Sequence, residues 1–219
     1  MPYFNIVAET SENTVVTEYD PVKRRSDSYQ SEVALEQEFI RLLCEQGYEY
    51  LPIHTQRDLI TNLRKKLEEL NKYQFSDTEW EDFFKNTVVN FNDHIVEKTR
   101  IIQEDHVKVL KRDSGETKNI TLIDKTNIHN NRLQVINQYV VSRESGAKHD
   151  NRYDVTVLVN GLPLVHIELK RRGVAIREAF NQIDRYQRES FWTGCGLYEY
   201  IQIFVISNGT NTKYYSNST

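Results

Sequence analysis

The sequence predicts an α/β domain, a mixed sheet flanked by helices, and three features predict it. An Asn160-Gly161 pair sits between two alternating apolar runs, the strongest short-range signal for a β-hairpin. A helical pattern from about Val174 to Ser190 follows directly, and a capped helix starts at Ser31. With strand patterns before the hairpin and after the second helix, the order is αβββαβ, which closes into an α/β sandwich.

Taken in chain order, residues 1–30 hold two short apolar segments, Tyr3–Ala8 and Thr14–Val16, each compatible with a strand, and a polar linker from Asp20 to Ser28. From Ser31, an N-cap residue, a helix runs to Gly47 with Glu32 in its first turn and an apolar stripe of Leu35, Phe39, Leu42 and Leu43. Glu36 lies at the edge of that stripe. A charge-rich region over 55–106 predicts three helices, Thr55–Asn71, Asp77–Asn90 and Asp93–His106, an insertion between the first helix and the sheet. Trp80, Phe83 and Phe84 give the middle one an aromatic face for packing. Residues 107–125 alternate around a Lys111–Lys118 turn containing Gly115, and 133–142 read as a further strand or two. A polar loop, Arg143–Asn151, leads into the hairpin. Tyr200–Ile206 is a buried strand, ended by Ser207-Asn208-Gly209.

The 219 residues suit one domain with a real core. Apolar content of 38% supports a folded globule, and a net charge of −4 argues against a wholly basic binding protein. Cys44 and Cys195 are too few for a thiolate metal site and are expected to stay reduced. No apolar run is long enough for a membrane span and no signal-peptide pattern opens the chain, so a soluble, cytoplasmic protein with no membrane partner is expected.

The hairpin carries the chemistry. Val155, Val157 and Val159 on one strand, with Val165, Ile167 and Leu169 on the other, mark a shared core face if odd positions pair with odd. A three-residue loop over 159–161 achieves that, with pairs summing to 320, so that Asp154 faces His166 and lies diagonal to Glu168. Asp154, Glu168 and Lys170 then share the opposite face. Two carboxylates one strand apart are hard oxygen ligands suited to Mg²⁺, and Lys170 can orient a water or stabilise a charged phosphate. Glu-x-Lys on a strand is also a common solvated face; Asp154 and the following helix separate the two readings. On that helix Ala175, Ala179, Gln182 and Tyr186 form a stripe. Arg171, Arg172, Arg177, Arg185 and Arg188, with Lys170, face only two acidic residues between 170 and 188, a local basic surface fit for a phosphate track. His149 and His166 are read as ordinary surface or core residues.

Asp154, Glu168-x-Lys170 and Gln182-x-x-x-Tyr186, in that order, resemble the PD-(D/E)xK nuclease core, the last pair resembling the motif of its RecB-like branch. The wording from Asn151 to Tyr186 is similar to the N-terminal region of the restriction (R) subunit of type I restriction enzymes, IC-type members in particular. The likeness takes in 28–51, 75–80, 122–127 and 204–215, so it covers most of the chain. Position 153 is Tyr rather than the Pro of the family name. The resemblance implies a PD-(D/E)xK restriction-endonuclease-like core in which Asp154, Glu168 and the Leu169 carbonyl hold Mg²⁺. Lys170 would position water, and Gln182 and Tyr186 would hold the lysine or the DNA backbone. A glutamate of the first helix, Glu36 with Glu38 as the competing choice, would support the metal. It further implies double-stranded DNA as substrate, with methyltransferase and specificity subunits and the motor domains of the R subunit as partners; no loop offers an obvious base-edge reader, so cutting without local sequence preference is expected. ATP would act only through that motor. No G-x-x-x-x-G-K-[ST] occurs in these residues, so the chain reads as one domain of a longer subunit that cuts weakly or not at all alone. Two rival readings share this pattern: a stand-alone resolvase or repair nuclease, and a silent module docking the R subunit onto the methyltransferase.

Overall fold

A computed structural model describes residues 3–9, 15–20, 31–141, 150–193 and 195–217, the first two segments as backbone only. Thr14, residues 21–28 of the expected linker, most of the 143–151 loop and His149 lie outside the described residues. Strands β1 (Tyr3–Glu9) and β2 (Val15–Asp20) pair antiparallel. Helix α1 (Glu32–Glu45) starts where Ser31 accepts a hydrogen bond from the Ala34 N–H at 3.1 Å, the cap the sequence predicts. Its buried face is Leu35, Phe39, Ile40 and Leu43; Leu42 is 42% exposed, because the stripe turns toward Ile40.

Two-residue strand β3 (Glu49–Tyr50) follows, then α2 (Gln56–Asn71), α3 (Asp77–Phe83) and α4 (Ile95–Gln103). The middle helix is shorter than its pattern suggested, passing at Phe84–Val88 into a single π-helical turn. The third begins at Ile95, where the Glu97 carboxylate accepts from the His94 N–H at 3.0 Å. Strands β4 (Val107–Lys111) and β5 (Thr117–Thr121) form a separate ribbon. Leu110 and Ile120 point inward there, whereas Val107 and Val109 are exposed.

The main sheet adds β6 (Leu133–Val141), β7 (Asn151–Val159), β8 (Leu162–Leu169), β9 (Ile203–Ser207) and β10 (Thr212–Ser216). Helix α5 (Ile176–Glu189) lies between β8 and β9 in sequence. The sheet order is β10-β9-β8-β7-β6-β3, with β3–β6 and β8–β9 parallel and the other pairs antiparallel. The last strand starts at Ile203 rather than Tyr200, which instead closes a 3₁₀ turn over residues 197–200. The predicted order αβββαβ is therefore present as α1, β6, β7, β8, α5, β9, with β3 and β10 as extra edges. Among the described residues no helix is long and apolar enough to cross a membrane, and both cysteines are free.

One sheet face packs on α1 through Val135, Val155, Val157, Ile167 and Leu169. The other buries Tyr139, Tyr153, Leu158, Leu162 and Phe204 with Ala179, Ile183 and Tyr186 of α5 and Leu59, Leu63 and Leu67 of α2. The helices of 55–106 thus share the sheet's own core.

The hairpin register differs from the one expected. The turn has two residues, with Val159 opposite Leu162. Asn160 and Gly161 have φ of 52° and 85°, both positive as a type I′ turn requires. Odd pairs with odd because a bulge between Val157 and Leu158 shifts the ladder, giving Val155–Ile167, Thr156–His166 and Val157–Val165. The expected three-residue loop is wrong, and His166 faces Thr156 rather than Asp154. Val159 is not among the residues packed on α1, and Leu158 and Leu162 belong to the core shared with α2. Carried one step further, the observed register sets Asp154 opposite Glu168.

Candidate active site

Asp154 stands where the ribbon changes face. Pairs Asn137–Val155 and Tyr139–Tyr153 flank it without slippage, yet Val155 faces α1 while Tyr153 faces α5. The reversal falls at Gln138, whose φ of 53° is unusual for a residue with a side chain. Asp154 therefore feels carboxylates on both sides of the sheet: Glu168, the larger influence on it, and Glu36 of α1.

The Leu169 N–H donates to Asp154 Oδ2 at 2.9 Å, and Lys170 Nζ donates to Glu168 Oε1 at 3.1 Å. So Asp154, Glu168 and Lys170 do converge, as the pattern of residues predicts. Glu168 is fully buried, Asp154 half-buried and the Lys170 side chain 12% exposed. Burial, then the neighbouring Glu168, pushes the Asp154 carboxyl up to about 7. Burial likewise raises Glu168 to about 7, against the opposing pull of Lys170. Two acids this close and this dry resist being ionised together.

Glu168 Oε2 is buried with no hydrogen-bond partner. His166 Nε2, itself without a partner, lies 3.5 Å from it. His166 is enclosed by the rings of Tyr153, Tyr186, Phe191 and Phe204, and burial lowers it to about 4. An orphaned carboxylate oxygen beside a second raised acid is a donor set that suits a hard cation. Among the described residues no group of three or more His, Cys, Asp or Glu is arranged as a metal cage. Mg²⁺ asks for less, binding through one or two carboxylates and keeping waters, so the pair fits it.

Glu36 is buried and accepts from Asn137 Nδ2 and Gln138 Nε2; burial raises its pKa, and those two bonds partly offset the rise. Glu38 is not at the site; it pairs with Arg41 on the surface of α1. The clamp on Glu36 was not foreseen, although an Asn-Gln pair inside an apolar strand is a visible signal for it. Asn137 also accepts from Tyr50 Oη at 2.9 Å, tying edge strand β3 into the network.

Gln182 Nε2 donates to Tyr186 Oη, which donates to the Arg152 carbonyl at 2.9 Å. The pair therefore grips β7 two residues before Asp154; in the described contacts it does not touch Lys170, one of the two roles the resemblance implies for it. Burial, and next Glu168, raise the Tyr186 hydroxyl to about 12, so it stays a donor. Arg171, Arg172, Arg177, Arg185 and Arg188 are all exposed on the loop and helix after Lys170. Arg188 is ion-paired with Asp184, and Arg185 lies 5.3 Å over the Tyr186 ring.

Comparison with known proteins adds a family model and three relatives. A family model described as type I restriction enzyme R protein N terminus matches residues 29–219. The EcoprrI type I restriction enzyme endonuclease subunit of Escherichia coli is 48% identical over 214 residues, covering 97% of this chain and 67% of that protein. The SsaAORF53P endonuclease subunit of Staphylococcus saprophyticus is 41% identical over 195 residues, covering 87% of this chain but 20% of its own length. The HindI endonuclease subunit of Haemophilus influenzae is 30% identical over 197 residues, covering 80% of this chain and 18% of its own.

Proposed function

Because the chain belongs to the family of type I restriction enzyme R protein N termini, we propose that it is the Mg²⁺-dependent nuclease domain of such a subunit, with a PD-(D/E)xK site. It hydrolyses phosphodiesters of double-stranded DNA without reading local sequence. One observation carries the reading: half-buried Asp154 and fully buried Glu168, both raised to about 7, converge at the end of one hairpin with Lys170, whose Nζ is 3.1 Å from Glu168 Oε1.

Asp154 and Glu168, with the Leu169 carbonyl, would hold the cation, and Glu36 would support it from α1. When bound, the ion polarises the phosphate and stabilises charge on the leaving oxygen. The chain's own groups supply the rest. Lys170 Nζ, beside Glu168, orients the attacking water and stabilises the added negative charge as the water oxygen bonds to phosphorus and a bridging P–O bond breaks. Tyr186 and Gln182 fix β7, and so the position of Asp154. The exposed arginines contact phosphates, a backbone interaction that carries no sequence information. Site choice, ATP-driven translocation and the triggering of cleavage belong, on this reading, to the methyltransferase and specificity subunits and to the motor domains of the longer polypeptide.

The test uses the assembled restriction complex. Asp154→Ala or Lys170→Ala is expected to abolish DNA cleavage while DNA binding, ATP hydrolysis and translocation continue. Cleavage at wild-type rate by either variant refutes the catalytic assignment and leaves the docking role. Activity is expected with Mg²⁺ and not with Ca²⁺, whose looser coordination suits the reaction poorly; cutting in chelator removes the ion from the mechanism.

A further inference from the structure

We propose that His166 is a positioning residue for Glu168, present as the neutral tautomer protonated at Nε2 and turning that N–H onto Glu168 Oε2; the assignment rests on the metal site proposed above. Both ring nitrogens of His166 and Glu168 Oε2 are buried and unpartnered, and Nε2 and Oε2 are 3.5 Å apart. A neutral imidazole carries one N–H, and a buried donor left without an acceptor costs its full desolvation penalty. Only the Nε2–H tautomer gives a donor to the orphaned carboxylate oxygen. Hydrogen bonds of this kind are long in ligand-free sites and tighten when the site is filled.

The surroundings confine the ring. Tyr153, Tyr186, Phe191 and Phe204 enclose it with centroid separations of 5.4 to 6.4 Å, and strand pairing sets Thr156 opposite. His166 and Glu168 are two apart on β8 and point to the same face. Oε1 of Glu168 takes Lys170 and Oε2 takes His166, so the carboxylate plane is held from both ends. That is the role outer partners play around a ligating carboxylate.

The experiment is Mn²⁺ binding to the whole chain by titration calorimetry, with thermal unfolding of every variant as the check on folding. Glu168→Ala is expected to bind no Mn²⁺. His166→Leu, similar in bulk and without a donor, is expected to weaken binding by about 10-fold or more, and His166→Gln, whose amide reaches toward the same oxygen, to recover most of it. If wild type binds Mn²⁺, Glu168→Ala does not, and His166→Leu binds as wild type does, this proposal fails while the metal site stands. A loss that Gln does not recover reduces His166 to packing and also overturns it. Absence of Mn²⁺ binding by wild type overturns both readings. Should His166→Leu not fold, long-range ¹H–¹⁵N spectra of wild type decide: an Nε2-protonated tautomer for His166 is expected, and an Nδ1-protonated ring overturns the proposal.

Discussion

Replacing Asp154 by Asn removes one of two crowded acids while keeping an acceptor for the Leu169 N–H, and its effect on folding is predictable in sign. Asp154 is raised from 3.8 to about 7, so the folded chain holds a proton that the unfolded chain has released. For such a group the stabilising contribution is complete below about pH 4 and is lost as pH rises toward 7. Each pH unit in that window is worth up to about 1.4 kcal/mol per group, so between pH 5 and pH 7 Asp154 alone costs the metal-free fold about 2 kcal/mol, and about 3 by pH 8. Glu168 adds a similar slope, shared rather than doubled if the pair titrates together. Asn carries no charge at any of these values. Urea unfolding in chelator at pH 5 and pH 8 is therefore expected to show the advantage of Asp154→Asn over wild type growing by about 3 kcal/mol. Added Mg²⁺ should raise wild-type stability at pH 8 and leave the variant nearly unchanged. An advantage that does not change with pH, or a variant less stable than wild type at pH 8, refutes the claim that the two carboxyls are crowded in the fold.

Tyr186→Phe leaves the Arg152 carbonyl without its donor and Gln182 without its acceptor. We expect about 1 to 3 kcal/mol of lost stability in urea melts and slower cleavage by the assembled complex, with Mn²⁺ affinity reduced less than by Glu168→Ala. Far from the site, Lys98 is 1% exposed and donates to Glu199 Oε2 at 2.6 Å and to the Gly196 carbonyl at 3.2 Å. Glu199→Leu strands that ammonium and should cost about 3 to 5 kcal/mol by thermal or urea unfolding, whereas Lys98→Met combined with Glu199→Leu should restore most of it. Gly161→Ala should cost at least about 2 kcal/mol: φ is positive there, and a Cβ would come within 2.6 Å of Leu63 Cα on α2. Wild-type melting by that variant would contradict the turn geometry.

Much of this was legible beforehand, for reasons particular residues make plain. Asn160-Gly161 permits positive φ at two successive positions, so the hairpin was visible, and alternation of valines with Asp154, Thr156 and Leu158 put the acids on one face. The register was not legible, because a bulge leaves no mark in the alternation and a three-residue loop restores parity equally well. Gln138 in the left-handed region was hidden for the same reason: nothing about glutamine announces it, and it is what lets Asp154 meet Glu36 as well as Glu168. His166 was set aside because a lone histidine in an apolar strand is usually packing; only the orphaned atoms around it say otherwise. Glu49–Tyr50 is too short and too exposed to carry a strand pattern.

The close approach of Gly161 to Leu63 has a consequence for how this molecule can be cut down. Its hairpin tip is seated in α2 like a tenon, with Asn160 Nδ2 bonded to the Leu122 carbonyl at 3.0 Å and Leu158 and Leu162 walled in beside it. Excising residues 55–106 would leave that joint open to water and strip one wall from the layer on which the acids rest. What reads as an addition along the chain is, in space, part of the frame.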